Sequence, residues 1–175
     1  MNENRTINKA MLGDVPSLEK LIGGYYDTIY AFCCRRTGDP STGADACQET
    51  FLSMVRNLPK YRERGYFKSW LFAIASNCCN DVFRKKRPLA ELNEDLPDAN
   101  QAFESRTGNA LLIKSALAQL PGFQAEAVIL RYYHDCTIGD IARIQHIPVG
   151  TAKTRLHRSL QKLRKILGEE ILLET

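Results

Sequence analysis

The sequence predicts an all-α protein made of two small helical domains joined by a flexible acidic linker, and three observations carry this. Apolar residues recur at i, i+3, i+4 spacings along most of the 175 residues, with no strand-like alternation and no hairpin dipeptide. One stretch, RPLAELNEDLPDANQAFESRTGN from Arg87 to Asn109, breaks that periodicity and holds Pro88, Pro97 and Gly108. Charge segregates around it. Residues 1–88 carry 14 basic and 9 acidic side chains, residues 89–108 carry 1 and 5, and residues 109–175 carry 9 and 6. Two basic blocks flanking an acidic one suit two modules on a polyanion, joined by a connector that avoids it.

In the first block the segment from Pro16 to Arg36 places Leu18, Leu21, Ile22, Tyr25, Ile29, Phe32 and Cys33 on one helical face. Gly23 and Gly24 interrupt it at a cost of about 1 kcal/mol each against Ala, marking either a close contact or a soft spot. A helix from about Thr42 to Leu58 turns Cys47, Phe51, Met54, Val55 and Leu58 inward. A third, Phe67 to Arg87, buries Leu71, Ala75, Cys78, Cys79 and Val82, with Phe72 and Phe83 at the margins. In the second block Ala110 to Leu120 stops at Pro121-Gly122, and Phe123 to Tyr133 follows. Thr137 to Gln145 (TIGDIARIQ) is short, with Thr137 as its N-cap, and Val149 to Leu167 closes the set.

Composition excludes several classes. No apolar run approaches the ~20 residues needed to span a bilayer. The start MNENRTINKAML lacks the basic-then-apolar pattern of a signal peptide, so a cytoplasmic protein is expected, without direct membrane insertion. Cys33, Cys34, Cys47, Cys78, Cys79 and Cys136 match neither a CxxC metal spacing nor a secreted disulfide framework and read as reduced small hydrophobes. His134, Cys136, His146 and His157 have no HExxH or paired CxxC spacing, which argues against a metal hydrolase. No catalytic residue, metal site or cofactor is assigned.

Three surfaces are more than core. On the Thr42 to Leu58 helix, Asp45, Gln48, Glu49, Leu52 and Arg56 form a stripe in which one apolar residue is ringed by polar ones, as in a small docking hot spot. On the Phe67 to Arg87 helix the outward face takes Trp70, Ile74, Asn77, Asp81 and Arg84. That helix ends in Arg84-Lys85-Lys86-Arg87 and is preceded by YRERGYF, Tyr61 to Phe67, which includes Tyr66. Cations for phosphate, aromatics for unstacked bases and an Asn for a base edge are what single-stranded nucleic acid requires. In the last helix Ala152, Leu156, Leu160, Leu163 and Leu167 face one way. Gly150, Thr151, Thr154, His157, Arg158, Gln161 and Lys165 face the other, with Lys153 and Arg155 at the edges. No acid lies between Asp140 and Glu169. Two helices, a tight HIP turn and a basic second helix form a helix-turn-helix, whose small mouth at Gly150 and Thr151 lets backbone N–H groups meet phosphate. Thr154, His157 and Arg158 are placed to reach base edges in the major groove.

Together these residues resemble bacterial sigma factors of the extracytoplasmic-function (ECF) type. GDPSTGADACQETFLSMVRNLPKY resembles the family's core-polymerase-binding stretch, and FKSWLFAIASNCCNDVFRKKRP resembles its promoter −10 stretch. LAQLPGFQAEAVILRYYHDCTIGDIARIQHIPVGTAKTRLHRSLQKLRKIL resembles its second DNA-binding domain almost end to end. The resemblance implies a sigma domain 2 at 12–88, an acidic linker at 89–108 and a sigma domain 4 at 109–168. It implies that Asp45, Gln48, Glu49, Leu52 and Arg56 dock on core RNA polymerase. Tyr61, Tyr66, Phe67, Trp70, Asn77, Asp81 and Arg84 would open and hold the −10 element of promoter DNA. Gly150, Thr151, Lys153, Thr154, Arg155, His157 and Arg158 would engage the −35 element. An anti-sigma factor is the expected regulatory partner, and a stress regulon the expected target. Two positions depart from the family pattern. His146 stands where members usually carry Gly, which matters if that turn needs φ > 0, and Ala46-Cys47 replaces a bulkier aliphatic pair. The alternative is a stand-alone helix-turn-helix regulator whose first block senses a ligand or dimerises.

Overall fold

The computed structural model describes residues 3–62, 64–86 and 108–168, and all regular structure among them is helical. The predicted linker lies outside the described residues, apart from Gly108. The helices are α1 (Glu3–Met11), α2 (Val15–Thr37), α3 (Pro40–Asn57), α4 (Phe67–Lys86), α5 (Gly108–Ala118), α6 (Gly122–Tyr133), α7 (Ile138–Gln145) and α8 (Val149–Leu167). A single 3₁₀ turn, Leu58–Lys60, follows α3.

Local chemistry explains most of the boundaries. Asp14 and Asp39 cap α2 and α3, accepting the backbone N–H of Ser17 at 3.0 Å and of Thr42 at 2.8 Å, each with a Pro in the first turn behind it. Gly38, at φ 75°, ends α2 in the left-handed conformation that glycine enters without penalty. Thr137 and Asp140 form a reciprocal capping box on α7: the Thr137 hydroxyl oxygen accepts from Asp140 N at 3.1 Å, and the Asp140 carboxylate accepts from Thr137 N at 2.9 Å. Replacing Thr137 with alanine should therefore cost about 1 kcal/mol, read as a lowered urea midpoint. His146 does sit at φ 54°, so the helix-turn-helix turn needs the left-handed region and His supplies it in place of Gly.

Helix α1 is not foreseen in the sequence. Its inward residues are only Ile7 and Ala10, at 1% and 6% exposure, too few for a legible period. It forms because it packs on α2. The two glycines of α2 line no close contact, since a Cβ at Gly23 or Gly24 would meet nothing within 4 Å.

The first module (α1–α4) buries Ile29, Phe32, Met54, Leu71 and Phe72, and the second (α5–α8) buries Leu120, Ile129, Leu130, Ile141 and Ala152. The modules do not stand apart: α6 and α7 lie against α2 and α4, and the apolar core runs through both. In α6 every residue from Gln124 to Leu130 is buried, as expected of a helix packed on more than one side. Five of the six cysteines are buried and Cys34 is partly so. Burial pushes the Cys47 and Cys136 thiols up to about 11 and holds them protonated and inert.

Candidate nucleic-acid interface

On α3 the residues Asp45, Gln48, Glu49, Leu52 and Arg56 are all exposed. Leu52 is 50% exposed, and Arg56 Nη2 reaches Glu49 Oε1 at 2.6 Å beside it. Val55, expected in the core, is 39% exposed instead. Thr50 takes the inward place, its hydroxyl donating to the Ala46 carbonyl at 2.6 Å. The patch is wider than the sequence suggested, because exposed Tyr26 of α2 stacks on Phe51 with ring centroids 5.8 Å apart.

Along α4 the outward residues Asn77, Asp81 and Arg84 are exposed, with Arg84 Nη1 at 3.3 Å from Asp81 Oδ1. The aromatic residues before them behave differently from the sequence expectation. Tyr61 and Phe67 are 8% and 3% exposed, and Trp70 is half-buried against them, with centroids 4.6 Å from Tyr61 and 5.5 Å from Phe67. Three aromatic rings with centroids no more than 5.5 Å apart bury more area by packing on each other than by facing water. In this arrangement Tyr61 and Phe67 are core residues, not free stacking platforms. Tyr66 stays 47% exposed, under the Arg143 guanidinium at 3.8 Å.

Helix α8 turns Ala152, Leu156, Ser159 and Leu163 inward and leaves Gly150, Thr151, Lys153, Thr154, His157 and Arg158 exposed. Arg155 differs from its neighbours. It is half-buried, donates from Nη1 to Gln145 Oε1 at 2.7 Å and stacks over Phe123 at 4.4 Å. Loss of hydration draws its pKa below the ordinary arginine value. Its geometry is that of a side chain fixing α8 onto α6 and α7, rather than one free to reach a base. At the mouth of α8 an open cleft of about 380 Å³ is lined by Gly150, Thr151, Thr154, Arg155 and Arg158, together with Phe123 and Gln124 of α6. These last two escaped the sequence reading, because one helix's periodicity says nothing about which residues of another helix border it.

The network between the modules was also missed. Glu126 is 3% exposed. Its Oε2 accepts from Arg36 Nε at 3.1 Å and from Ser76 Oγ at 2.7 Å, and its Oε1 accepts from Gln145 Nε2 at 3.1 Å. A lone carboxylate inside the apolar run FQAEAVIL was the available signal, since a buried charge requires partners. His134 meets Phe32 edge-on and Phe72 at a tilt, with ring centroids 5.8 and 5.2 Å away. Burial first, and then the cations Arg35 and Lys68, push its pKa down to about 4. Among the described residues no cluster of His, Cys, Asp or Glu is placed to hold a metal, and no helix is long and apolar enough to cross a membrane.

Sigma-70 region 2 matches residues 21–88, and sigma-70 region 4 matches residues 110–163. The ECF RNA polymerase sigma factor SigW of Bacillus subtilis is 28% identical over 180 aligned positions, covering 94% of this chain and 96% of its own. The RNA polymerase sigma factor CarQ of Myxococcus xanthus is 29% identical, covering 90% and 92%. Two solved structures share the fold. CnrH, in complex with the cytosolic domain of CnrY, gives a TM-score of 0.73 at 20% identity, covering 96% of this chain and 98% of its own. RpoE of Bartonella quintana, in complex with the anti-sigma factor NepR, gives 0.72 at 21% identity, covering 87% and 97%. With both regions matched in order on one chain, this protein belongs to the ECF-type sigma factors, non-enzymatic initiation factors that act with core RNA polymerase on promoter DNA.

Proposed function

We propose a division of labour among the three surfaces. The α3 stripe centred on Leu52 docks on core polymerase. The outer face of α4, Asn77, Asp81 and Arg84 with the basic helix end, engages the −10 element. The exposed face of α8, Lys153, Thr154, His157 and Arg158 with the open mouth at Gly150 and Thr151, reads the −35 element. Arg155 serves this last surface by holding the helix in place. Tyr61, Phe67 and Trp70 shape the loop from which Tyr66 projects, and they contribute stacking only if that corner rearranges. The observation that carries the reading is the α8 face, cationic, free of acids and exposed at Gly150, Thr151, Lys153, Thr154, His157 and Arg158, opposite a back on which Ala152, Leu156, Ser159 and Leu163 are buried. Phosphate contacts position such a helix and base-edge contacts specify it.

Docking at α3 rests on an exposed leucine inside a polar ring, the pattern of an interface hot spot. Control by an anti-sigma factor in the cytoplasm is part of the same proposal. It is supported by the family and by the fold shared with RpoE, solved with such a partner.

The direct test is co-elution of the purified chain with bacterial core RNA polymerase on a sizing column, with Leu52→Asp beside it. Burying a carboxylate without a partner costs several kcal/mol, so the variant should lose at least ~100-fold in affinity while its circular dichroism stays unchanged. Wild-type chain that migrates alone yet binds duplex DNA would sink this reading in favour of a stand-alone regulator.

A further inference from the structure

Helix α8 does not enclose its cleft alone. One wall of the opening at its mouth comes from the first turn of α6, a helix outside the helix-turn-helix, where Phe123 stands 49% exposed. Gln124 lines the same cleft but is only 7% exposed, so it backs the wall without projecting from it. Phe123 is held in place twice. The Arg155 guanidinium lies over its ring at 4.4 Å, and Gln145 Nε2 donates to its carbonyl at 2.9 Å. Gln145 Oε1 in turn accepts from Arg155 Nη1 at 2.7 Å, which closes the arrangement. A ring fixed in advance loses little rotamer freedom when a partner covers it.

A phenylalanine exposed singly on a surface requires no explanation. The surroundings of this one are what matter. Facing it across the cleft are Gly150, Thr151 and Thr154 of α8, with Arg158 one turn beyond. Gly150 keeps the mouth open, since a Cβ there would meet nothing within 4 Å. The Thr154 hydroxyl donates to the Gly150 carbonyl at 3.0 Å, so its proton is engaged within the helix and its methyl group is left for a contact. Among the described residues no acidic side chain lines the cleft, which suits a polyanion. The residues at the mouth of a reading helix are those that meet base edges. In the major groove those edges are hydrogen-bond donors and acceptors with one apolar exception, the C5-methyl group of thymine. An aromatic wall in a cationic mouth has that group to match.

We propose that Phe123 is a specificity-determining residue of the −35 interface, packing on the methyl group of one thymine at the end of the site met by the mouth of α8. This contact rests on the assignment of α8 to the −35 element above. It widens the reading surface from one helix to two. Side chains of α8 read polar edges, and α6 supplies the apolar contact. The ring that meets the base is also the ring that carries Arg155, so its loss has two separable effects: one confined to a single thymine, the other felt equally by every sequence.

The test uses holoenzyme assembled from the full-length chain and bacterial core RNA polymerase. Duplexes are selected from a random-sequence library, and the motif read by α8 is the one whose enrichment Arg158→Ala abolishes. Each thymine of that motif is then replaced in turn by deoxyuridine, which removes the methyl group and keeps the base pair. Burial of one methyl group is worth about fourfold in affinity, so one of these replacements should weaken wild-type binding about fourfold. Phe123→Ala should no longer distinguish thymine from deoxyuridine at that position, with unchanged helical circular dichroism. Phe123→Gln keeps a long side chain beside Arg155, guards against a misfolded first variant, and should lose the distinction likewise. A wild-type holoenzyme indifferent to deoxyuridine at every thymine would overturn the contact. So would variants that bind all duplexes equally less well while retaining the fourfold methyl effect, the mark of a residue that only positions Arg155 and α8. Absence of any Arg158-dependent motif would sink the α8 assignment itself, and the methyl contact with it.

Discussion

Gly43→Ala is expected to lower the melting temperature by about 10 °C, whereas Gly24→Ala should raise it slightly. In an isolated helix both changes favour folding by about 1 kcal/mol, because alanine loses less backbone freedom than glycine. What differs is the neighbourhood. A Cβ at Gly43 would lie 2.7 Å from Cys34 Cα, 2.7 Å from its Sγ and 2.8 Å from its N. Two of those three atoms are main chain, so no rotamer change relieves the contact and α3 must back away from α2. With main chain pressed on a new Cβ, the cost falls at the upper end of the range for overpacking, about 3 kcal/mol. Set against the helical gain, a net loss of about 2 kcal/mol remains, worth about 10 °C in a module of this size. At Gly24 nothing lies within 4 Å, so the helical gain stands alone. Thermal denaturation of the two variants decides the point, and equal shifts of the same sign would contradict the α2–α3 packing.

Mild acid is expected to loosen the contact between modules before it unfolds them. His134 is enclosed by Phe32 and Phe72 of the first module, with Arg35 and Lys68 nearby and Asp135 the one opposing charge. Its pKa falls from 6.5 to about 4 in the docked state. A histidine with a lowered pKa binds fewer protons docked than released, so docking is fully favourable above the released pKa and weakens as pH falls below it. The loss accumulates between about pH 6.5 and pH 4, reaching on the order of 2 kcal/mol by pH 5. It levels off below pH 4, where both states are protonated. The capping carboxylates Asp14, Asp39 and Asp140 have lowered pKa values, so their contribution is lost at still more acidic pH. His134→Phe, placing a ring of similar size among Phe32 and Phe72, should flatten the profile over that window. Scattering or hydrogen exchange recorded from pH 7 to pH 4.5 would show it, and an unchanged pH dependence in the variant would remove His134 as the cause.

Much of the candidate site could be read without coordinates, and the reason is local. Leu52 was legible as an exposed apolar residue because a helix's 3.6-residue period separates it from Phe51 and Met54. Lys153, Thr154, His157 and Arg158 were legible for the same reason, from the leucines behind them. The errors occur where one helix meets another. Val55 lies on the inner arc of α3 by helical period yet is 39% exposed, and Tyr61 and Phe67 close an aromatic cluster with Trp70. Arg155 reads as one more cation on a basic face until Phe123 and Gln145 are brought beside it.

By itself, then, the sequence determined the helices from α2 to α8, the Thr137 cap of α7, the Pro121-Gly122 and HIP turns, and the outward stripes of α3, α4 and α8. All of these depend on residues no more than a few positions apart, where period, Pro, Gly and capping side chains act directly. Only the tertiary structure decided that the two modules close on each other. Arg36 and Glu126 are 90 residues apart in the chain, Ser69 and Asp140 71, and Ser76 and Glu126 50. No local pattern specifies such a pairing. It follows from which surfaces remain after each module has folded, and from the need of one buried carboxylate for donors that its own helix does not supply.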